Sequence, residues 1–334
     1  MKFQSYLSRN AKRMNELVAD YFRQDTAQDM LRYLYRPLAE YSANGGKRHR
    51  PLICELACAA VGGNPSDAHS AASAIEHFHT AALIHDDIAD KSQLRRGAPC
   101  LHLVIGEGMA INAGDLALAQ VTGLVVDDNN LGDAVKLRVL DELVQMTIRT
   151  IEGQALDLGW ARDGRYDLDI DDYLMMATHK TAYYSGGTPL AVGAIIGGGG
   201  ETQIEALRAF GMSSGLAFQI QDDLLNLVGT KERTQKDFRS DITEGKRSLI
   251  VVHALQDSPR ASELVGILSS HTTDSKELEQ VVQLLDEAGS LDFARNFATD
   301  LVGEAKRDLI AVLPPSKQAD LLLSMADFFV ERMS

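Results

Sequence analysis

Residues 85–97 read HDDIADKSQLRRG, a stretch that places three aspartates within about one helical turn and two arginines shortly afterwards. Small and apolar residues precede it at positions 71–84, and Asn64-Pro65 is a typical helix start. We therefore predict a long helix that ends in this acidic stretch, with Asp86 and Asp90 four residues apart on one face. Charge of one sign concentrated in this way is either a solvated helix end or a ligand-binding motif.

A second acidic pair lies in FQIQDDLLN, residues 218–226, near the end of another stretch with helical periodicity. Asp222 and Asn226 are four residues apart and so share a helix face, whereas Asp223 points away from that face. Hard divalent cations such as Mg²⁺ take oxygen ligands and keep several waters. Two acidic helix ends that face each other would therefore hold Mg²⁺ together with a substrate diphosphate, whereas one alone is more often solvated surface.

Basic residues accompany both motifs. Arg95 and Arg96 follow the first, and GGKRHRP at residues 45–51 begins another predicted helix, whose free amide groups favour anions. Each cation alone is ordinary surface charge, so their order along the chain carries the information. The remaining cations lie further downstream: Lys180 in HKTAYYSGG, and Lys236 and Lys246 in QKDFRSDITEGKRSL.

Composition excludes several classes of protein. The chain has 334 residues, of which 45% are hydrophobic and 24% charged, as in soluble globular proteins. Its net charge of −14 argues against a nucleic-acid partner, which would need basic surface. Three cysteines without paired motifs indicate neither a disulfide framework nor a zinc site. Since no signal-like N-terminus or long apolar run occurs, we expect no transmembrane segment and a cytoplasmic location.

Hydrophobic periodicity indicates helices throughout the chain. Apolar residues recur at spacings of three and four, and Gly, Pro and Asn clusters interrupt them, for example at residues 62–65, 129–130, 197–200 and 314–315. No strand-like alternation, linker or repeat period is found. The sequence therefore predicts an all-α protein of about ten or more helices, with residues 1–334 forming a single domain.

Taken together and in this order, GGKRHRP, HDDIADKSQLRRG, HKT, FQIQDD and EGKRSL resemble the trans-isoprenyl diphosphate synthases, or polyprenyl synthetases, over about residues 40–255. Within that family the chain looks most like the geranylgeranyl diphosphate synthases. The resemblance implies a single-domain bundle of long helices around a deep central cavity, usually a homodimer. It also implies condensation of isopentenyl diphosphate with an allylic diphosphate to give a trans-polyprenyl diphosphate.

The resemblance assigns roles to the acidic motifs. Asp86 and Asp90 would ligate Mg²⁺ from one wall and Asp222 from the other, with three ions when diphosphate is bound and Mn²⁺ as a possible substitute. Asp87 and Asp223 would orient ligands and waters. Asn226 stands where many relatives carry Asp, so we expect activity to survive with metal binding weaker by one charge.

The same resemblance assigns roles to the cations and to two dipoles. Thr181 and Gln219 would stabilise the allylic cation through their oxygens. Donors to the allylic diphosphate would be Arg95, Lys180, Lys236 and Lys246. The isopentenyl diphosphate pocket would consist of Lys47, Arg50, His79 and Arg96.

Product length should depend on residues that precede the first motif on its helix. Ala81 lies about 7.5 Å and Phe78 about 12 Å before Asp86 along the axis; Ala82 is the neighbouring small residue. Farnesyl-forming relatives commonly place an aromatic ring at the position of Ala81, so the resemblance implies a longer product. We predict geranylgeranyl diphosphate as the product, with Phe78 forming the floor of the cavity that holds the growing chain. A longer polyprenyl diphosphate is the alternative.

Three other classes are weaker alternatives. A class I terpene cyclase would need a second motif like N-D-x-x-S-x-x-x-E, whereas DDLLNLVGT follows here. A ferritin-like di-iron protein would need two Glu-x-x-His motifs, and only Glu76-x-x-His79 was found. A non-catalytic synthase subunit is disfavoured because the first motif and both arginines after it are intact.

Overall fold

The computed structural model describes residues 2–229 and 239–331, and the described chain is almost wholly helical. Two π-helical segments, Leu31–Tyr35 and Thr178–Gly187, and a 3₁₀ turn, Pro65–Ala68, join the α-helices, and a short antiparallel pair of strands, β1 (Leu94–Arg95) and β2 (Ala98–Pro99), follows the first acidic motif. The all-α prediction is thus confirmed.

The α-helices are α1 (Phe3–Asp20), α2 (Gln28–Met30), α3 (Arg36–Ala43), α4 (His49–Ala60), α5 (His69–Ala89), α6 (Leu101–Ile105), α7 (Glu107–Val126), α8 (Asp133–Arg162), α9 (Ile170–Ala177), α10 (Thr188–Ile196), α11 (Glu201–Val228), α12 (Ser240–Thr243), α13 (Leu249–Asp257), α14 (Ala261–Ser269), α15 (Ser275–Glu287), α16 (Ser290–Val312) and α17 (Lys317–Val330).

The motifs lie at helix ends, as the sequence predicts. α5 follows the 3₁₀ turn at Pro65 and ends at Ala89, so the first acidic motif occupies its last turn. α11 ends at Val228, two residues after the second motif. α4 begins directly after Arg48, whose left-handed backbone (φ 52°) turns the basic stretch into the helix.

Apolar side chains from the first helix to the last form one continuous core cluster, which runs from Phe3 to Phe329. The two ends of the described chain meet there: the Phe3 ring lies 5.8 Å from that of Phe328, and its amide donates to Ser324 Oγ at 2.9 Å. A second cluster, which includes Ala81 and Ile84 of α5, packs α5 on the small residues of α7.

The π-helix Thr178–Gly187 is held at very close range by two long helices. A Cβ atom placed on Gly186 would lie 2.0 Å from the carbonyl oxygen of Gly211 in α11, and a Cβ on Gly153 of α8 would lie 2.2 Å from the backbone nitrogen of Lys180. Real Cβ contacts are never this short, so only glycine allows these backbones to meet. The position of Lys180 is therefore fixed by backbone packing.

One described helix, α7, is long and apolar enough to cross a membrane when judged by length and composition alone. Only 33% of its most apolar window is buried inside the chain. A core helix of a soluble protein passes the same test, so α7 is weak support for a membrane span.

Replacement of Gly211 by alanine is expected to lower the free energy of unfolding by about 1–3 kcal/mol, because the new methyl group would overlap the backbone of Gly186. Denaturant unfolding followed by circular dichroism measures the change.

Gly266 provides the matched control, since it lies in α14 with open space around it. Gly266→Ala should raise the free energy of unfolding by about 0.5–1 kcal/mol. Equal effects of the two substitutions would contradict the close approach at Gly211.

Candidate active site

The first acidic wall is the last turn of α5. Asp86 is partly exposed and accepts a hydrogen bond from Gln154 Nε2 of α8 at 3.1 Å. Asp90 follows directly after the helix, and burial, together with the nearby Asp86 carboxylate, raises its pKa to about 6. The two carboxylates therefore crowd one another, as their predicted common face requires.

Asp87 points into the protein instead. It is buried, and its carboxylate accepts from Tyr41 Oη at 2.7 Å and from Arg95 Nε at 2.8 Å. The Arg95 guanidinium also lies 3.8 Å from Asp86. Arg95 is thus brought to the first motif, where it is bonded to a carboxylate of that motif. Tyr41 was missed by sequence analysis, since no local pattern links it to a motif 46 residues away.

The second acidic wall is the end of α11, where Asp222 is exposed and Asp223 is buried. Asp223 accepts from Tyr173 Oη at 3.0 Å and from Gln219 Nε2 at 2.7 Å. Thr181 Oγ1 in turn donates to Gln219 Oε1 at 2.8 Å. Burial and the nearby Asp241 carboxylate raise the pKa of Asp223 to about 8. Tyr173 is a second residue that sequence analysis missed.

Two partly buried lysines lie among acidic residues near the first wall. Lys180 forms an ion pair with Asp157 of α8, a residue that sequence analysis did not select. Lys246 lies 3.3 Å from Asp241 and 2.8 Å from Glu244.

The pKa values of these lysines report on their surroundings. Burial lowers the pKa of Lys246, but Asp241, Glu244 and the first-motif residues Asp90 and Asp86 outweigh burial, so the pKa is raised. Lys246, which follows the second acidic motif in sequence, therefore lies within electrostatic reach of the first acidic motif. Lys236, predicted for the same cluster, lies outside the described residues.

A buried basic pocket lies beside Tyr184 and Ser185 of the π-helix. Arg50 NH2 donates to Ser185 Oγ at 2.8 Å, and its guanidinium lies 4.6 Å from the centre of the Tyr184 ring. Within residues 2–229 and 239–331, no carboxylate forms an ion pair with Arg50, and its buried Nε has no hydrogen-bond partner. A buried cation without a carboxylate partner among the described residues is a candidate site for an anion.

His79 and Arg96 lie within electrostatic reach of Arg50, and Lys47 belongs to the same basic stretch of sequence. His79 stacks on Tyr184, and burial, reinforced by Arg50 and Arg96, lowers its pKa far enough to keep the ring neutral. Arg96 donates to the carbonyl of Asn44 at 3.1 Å, beside the glycines that precede Lys47. Lys47 itself is exposed.

Arg48 has a structural role within the same basic stretch. It is buried and donates to Glu76 Oε1 at 2.6 Å and to Asn15 Oδ1 at 2.8 Å, so it ties the loop to α5 and α1. Because Glu76 is occupied by Arg48, the Glu76-x-x-His79 spacing does not form half of a di-iron site.

The residues predicted to set product length occupy different surroundings. Phe78 is buried, with its ring 5.7 Å from that of Tyr184. Ala81 is fully buried in the cluster that packs on α7, whereas the neighbouring Ala82 is partly exposed. Phe78 therefore lies next to the basic pocket, and Ala82 is the more open of the two alanines.

The donor set fits Mg²⁺. Asp86, Asp90 and Asp222 offer the oxygen ligands that this ion prefers. Burial and neighbouring carboxylates raise the pKa values of Asp90 and Asp223, and a cation bound beside them would relieve that repulsion. The described residues contain no cluster of three ready-placed ligands. Waters and a diphosphate would thus complete the coordination shell, as is common for Mg²⁺.

Acidic walls that fit Mg²⁺, partly buried lysines near them and a separate pocket for an anion are typical of an all-α enzyme that handles diphosphates. The polyprenyl synthetase family model matches residues 31–285, and the chain belongs to this family. It is a trans-prenyltransferase.

Relatives from several organisms support the assignment. The short chain isoprenyl diphosphate synthase of Methanothermobacter thermautotrophicus is 38% identical over 96% of this chain and 97% of its own length. The geranylgeranyl pyrophosphate synthetase of Pyrococcus horikoshii superposes with a TM-score of 0.89 at 33% identity, covering 99% of this chain and 98% of that chain. The geranylgeranyl pyrophosphate synthase of Corynebacterium glutamicum, solved with isoprenyl diphosphate and magnesium, has a TM-score of 0.85 at 28% identity, covering 99% and 98%.

Binding of Mg²⁺ at pH 7 is expected to release about one proton per chain. The carboxyl of Asp223, with its pKa near 8, is mostly protonated at pH 7 in the metal-free protein, and a cation beside it would lower that pKa. A pH-indicator dye measures the release as Mg²⁺ is added.

Two controls accompany this measurement. The release should be much smaller at pH 9, where the carboxyl is already ionised, and in Asp223→Asn. Release of the same size in that variant would assign the proton to another group.

Proposed function

We propose that this trans-prenyltransferase condenses isopentenyl diphosphate with an allylic diphosphate and makes mainly geranylgeranyl diphosphate. The observation that supports the proposal is the presence of two distinct environments, each of which suits a diphosphate. One consists of acidic walls with lysines, and the other is the buried pocket of Arg50, which contains no carboxylate partner among the described residues. A reaction that joins two diphosphate substrates needs both.

In this proposal the acidic walls bind the allylic diphosphate through metal ions. Asp86, Asp90 and Asp222 would hold Mg²⁺, as three ions by family resemblance and with Mn²⁺ as a possible substitute. The metal would supply positive charge that stabilises the departing diphosphate. Asp87, fixed by Tyr41 and Arg95, keeps the end of α5 in place.

The lysines act on the same leaving group. Lys180 and Lys246 donate to the allylic diphosphate, and their present carboxylate partners hold both ammonium groups close to the walls. Arg95 donates from the first motif, and Lys236 is assigned by resemblance alone. The negative charge that develops on the leaving diphosphate oxygen is thus stabilised by the lysine and arginine donors.

The remaining polar residues protect and orient the reacting carbons. The Thr181 and Gln219 side chains are locked to each other and to Asp223, so their oxygens present fixed dipoles to the allylic cation. Isopentenyl diphosphate occupies the pocket of Arg50, Arg96, Lys47 and neutral His79. After its double bond attacks the cation, the released diphosphate accepts the proton that is lost.

We further propose that the chain is a single domain that pairs with a second copy. Large apolar residues on α8 are exposed at spacings of seven, four, three and seven, a stripe that packs well on another helix. Exposed apolar residues on α7 extend it. Pairing would cover the apolar surface of α7, and a cytoplasmic location stays our prediction. The α8 stripe consists of Leu137, Val144, Ile148, Ile151 and Leu158.

A twenty-carbon alcohol is the expected main product after the purified chain is incubated with Mg²⁺, labelled isopentenyl diphosphate and dimethylallyl, geranyl or farnesyl diphosphate, then dephosphorylated. Phe78→Ala should shift the products to greater length, because it removes the ring that closes the space next to Tyr184. Chromatography of the alcohols measures both results.

Phe293→Ala, a change in α16 beside His253, is the control and should leave the product distribution unchanged. Longer products from the unchanged chain would overturn the floor at Phe78 and keep the enzyme class. No incorporation with any primer would contradict the proposed reaction.

The dimer is tested by a charge placed on the stripe. Ile151→Asp should weaken self-association at least about ten-fold, because a carboxylate would be buried at the interface. Sedimentation equilibrium measures the dissociation constant. Ile310→Asp is the matched control, since Ile310 is as exposed as Ile151 but lies on α16. Equal effects, or a wild-type chain that is monomeric, would contradict the pairing.

A further inference from the structure

Asn226 ends the second acidic motif, but its side chain is buried against a neighbouring turn and is not exposed as a metal ligand would be. It is 8% exposed, whereas Asp222 one turn earlier is exposed. Its side chain is used at both ends: Oδ1 accepts from the backbone amide of Asp241 at 3.3 Å, and Nδ2 donates to Ser240 Oγ at 3.3 Å. The amide therefore binds the first turn of α12 to the end of α11.

The segment that Asn226 binds carries one of the proposed diphosphate donors. Ser240 and Asp241 begin α12, and Lys246 follows five residues later. The Asp241 carboxylate lies 3.3 Å from Lys246 Nζ, and the Asp241 carbonyl accepts from the Lys246 amide at 2.8 Å. The position of Asp241 thus determines that of Lys246.

Other contacts hold the remaining parts of this segment. Arg239 Nε donates to the carbonyl of Leu227 at 3.2 Å, and Thr243 Oγ1 donates to that of Thr272 at 2.9 Å. The described contact between the Ser240–Asp241 turn and the second acidic motif is made by Asn226.

The side-chain amide suits this place better than a carboxylate would. It supplies one donor and one acceptor, which match the hydroxyl of Ser240 and the amide of Asp241. An aspartate could still accept from the amide of Asp241, but its carboxylate could not donate to Ser240 Oγ, and it would add a negative charge close to Asp241.

We infer that Asn226 is a positioning residue, which ties α12 to α11 and thereby sets Lys246 near the acidic walls, and that it is not a metal ligand. The link to Lys246 as a diphosphate donor rests on the proposed function, whereas the tie between the two helices does not. On this basis the replacement of Asp by Asn in the second motif exchanges a possible ligand for a structural hydrogen bond.

The tie is tested on the metal-free protein by amide hydrogen exchange. Asn226→Ala should speed exchange at Asp241 about five- to ten-fold, because the amide loses its acceptor. Ser240→Ala should have a smaller effect, and Asn130→Ala, at an exposed turn, should have none. Unchanged exchange in Asn226→Ala, with circular dichroism of a folded protein, would overturn the tie.

The ligand question is tested by Asn226→Asp. If position 226 contacts the metal, the added carboxylate should tighten Mg²⁺ binding several-fold. We expect Mg²⁺ binding, measured by calorimetry, that is unchanged or weaker, together with faster exchange at Asp241. Tighter Mg²⁺ binding would overturn the assignment.

The link to Lys246 is tested by a double-mutant cycle. Asn226→Ala should raise the KM for the allylic diphosphate and leave that for isopentenyl diphosphate unchanged, and it should add little in a Lys246→Ala background. Additive effects would overturn the link. If the unchanged chain shows the expected exchange but incorporates no isopentenyl diphosphate, the proposed function fails and the tie stands.

Discussion

Close packing of the π-helix Thr178–Gly187 between α8 and α11 is the constraint on which the site depends. Gly153 and Gly211 let both long helices touch its backbone, so this segment cannot shift without displacing them. Its side chains then reach each part of the site in turn. Lys180 pairs with Asp157, Thr181 bonds to Gln219, and Tyr184 and Ser185 contact Arg50. Functional sites often coincide with π-helical irregularity in this way.

Electrostatic balance explains why the two diphosphate environments differ. At the acidic walls, burial and neighbouring carboxylates raise the pKa values of Asp90 and Asp223, and Lys246 and Lys180 offset only part of this effect at Asp90. In the other environment, Arg50 contacts the neutral side chains of Tyr184 and Ser185, and burial, reinforced by Arg50 and Arg96, keeps His79 neutral. The first environment suits a diphosphate accompanied by cations, and the second suits one without them. The same fold can therefore distinguish two substrates that carry identical head groups.

Hydrogen bonds between distant parts of the chain give the acidic motifs their asymmetry. In each motif the second aspartate is turned inward and held by a tyrosine: Asp87 by Tyr41 and Asp223 by Tyr173. The first aspartate of each motif, Asp86 or Asp222, is left more exposed. In each wall the first aspartate of the pair is therefore the more open one, and the buried carboxyl of the second aspartate anchors the helix end.

The amino-acid sequence by itself determined the helical class, the helix ends that carry the motifs, and the family, because periodicity, helix-breaking residues and ordered motifs are all local. It also indicated that Asp86 and Asp90 share a face, since four-residue spacing fixes this on any helix. Tertiary structure alone decided that Tyr41, Tyr173 and Asp157 belong to the site and that Arg48 is structural. It likewise decided that Asn226 binds a neighbouring turn. Each of these depends on which distant backbone lies opposite the side chain, and helix packing sets that relation where no local spacing can.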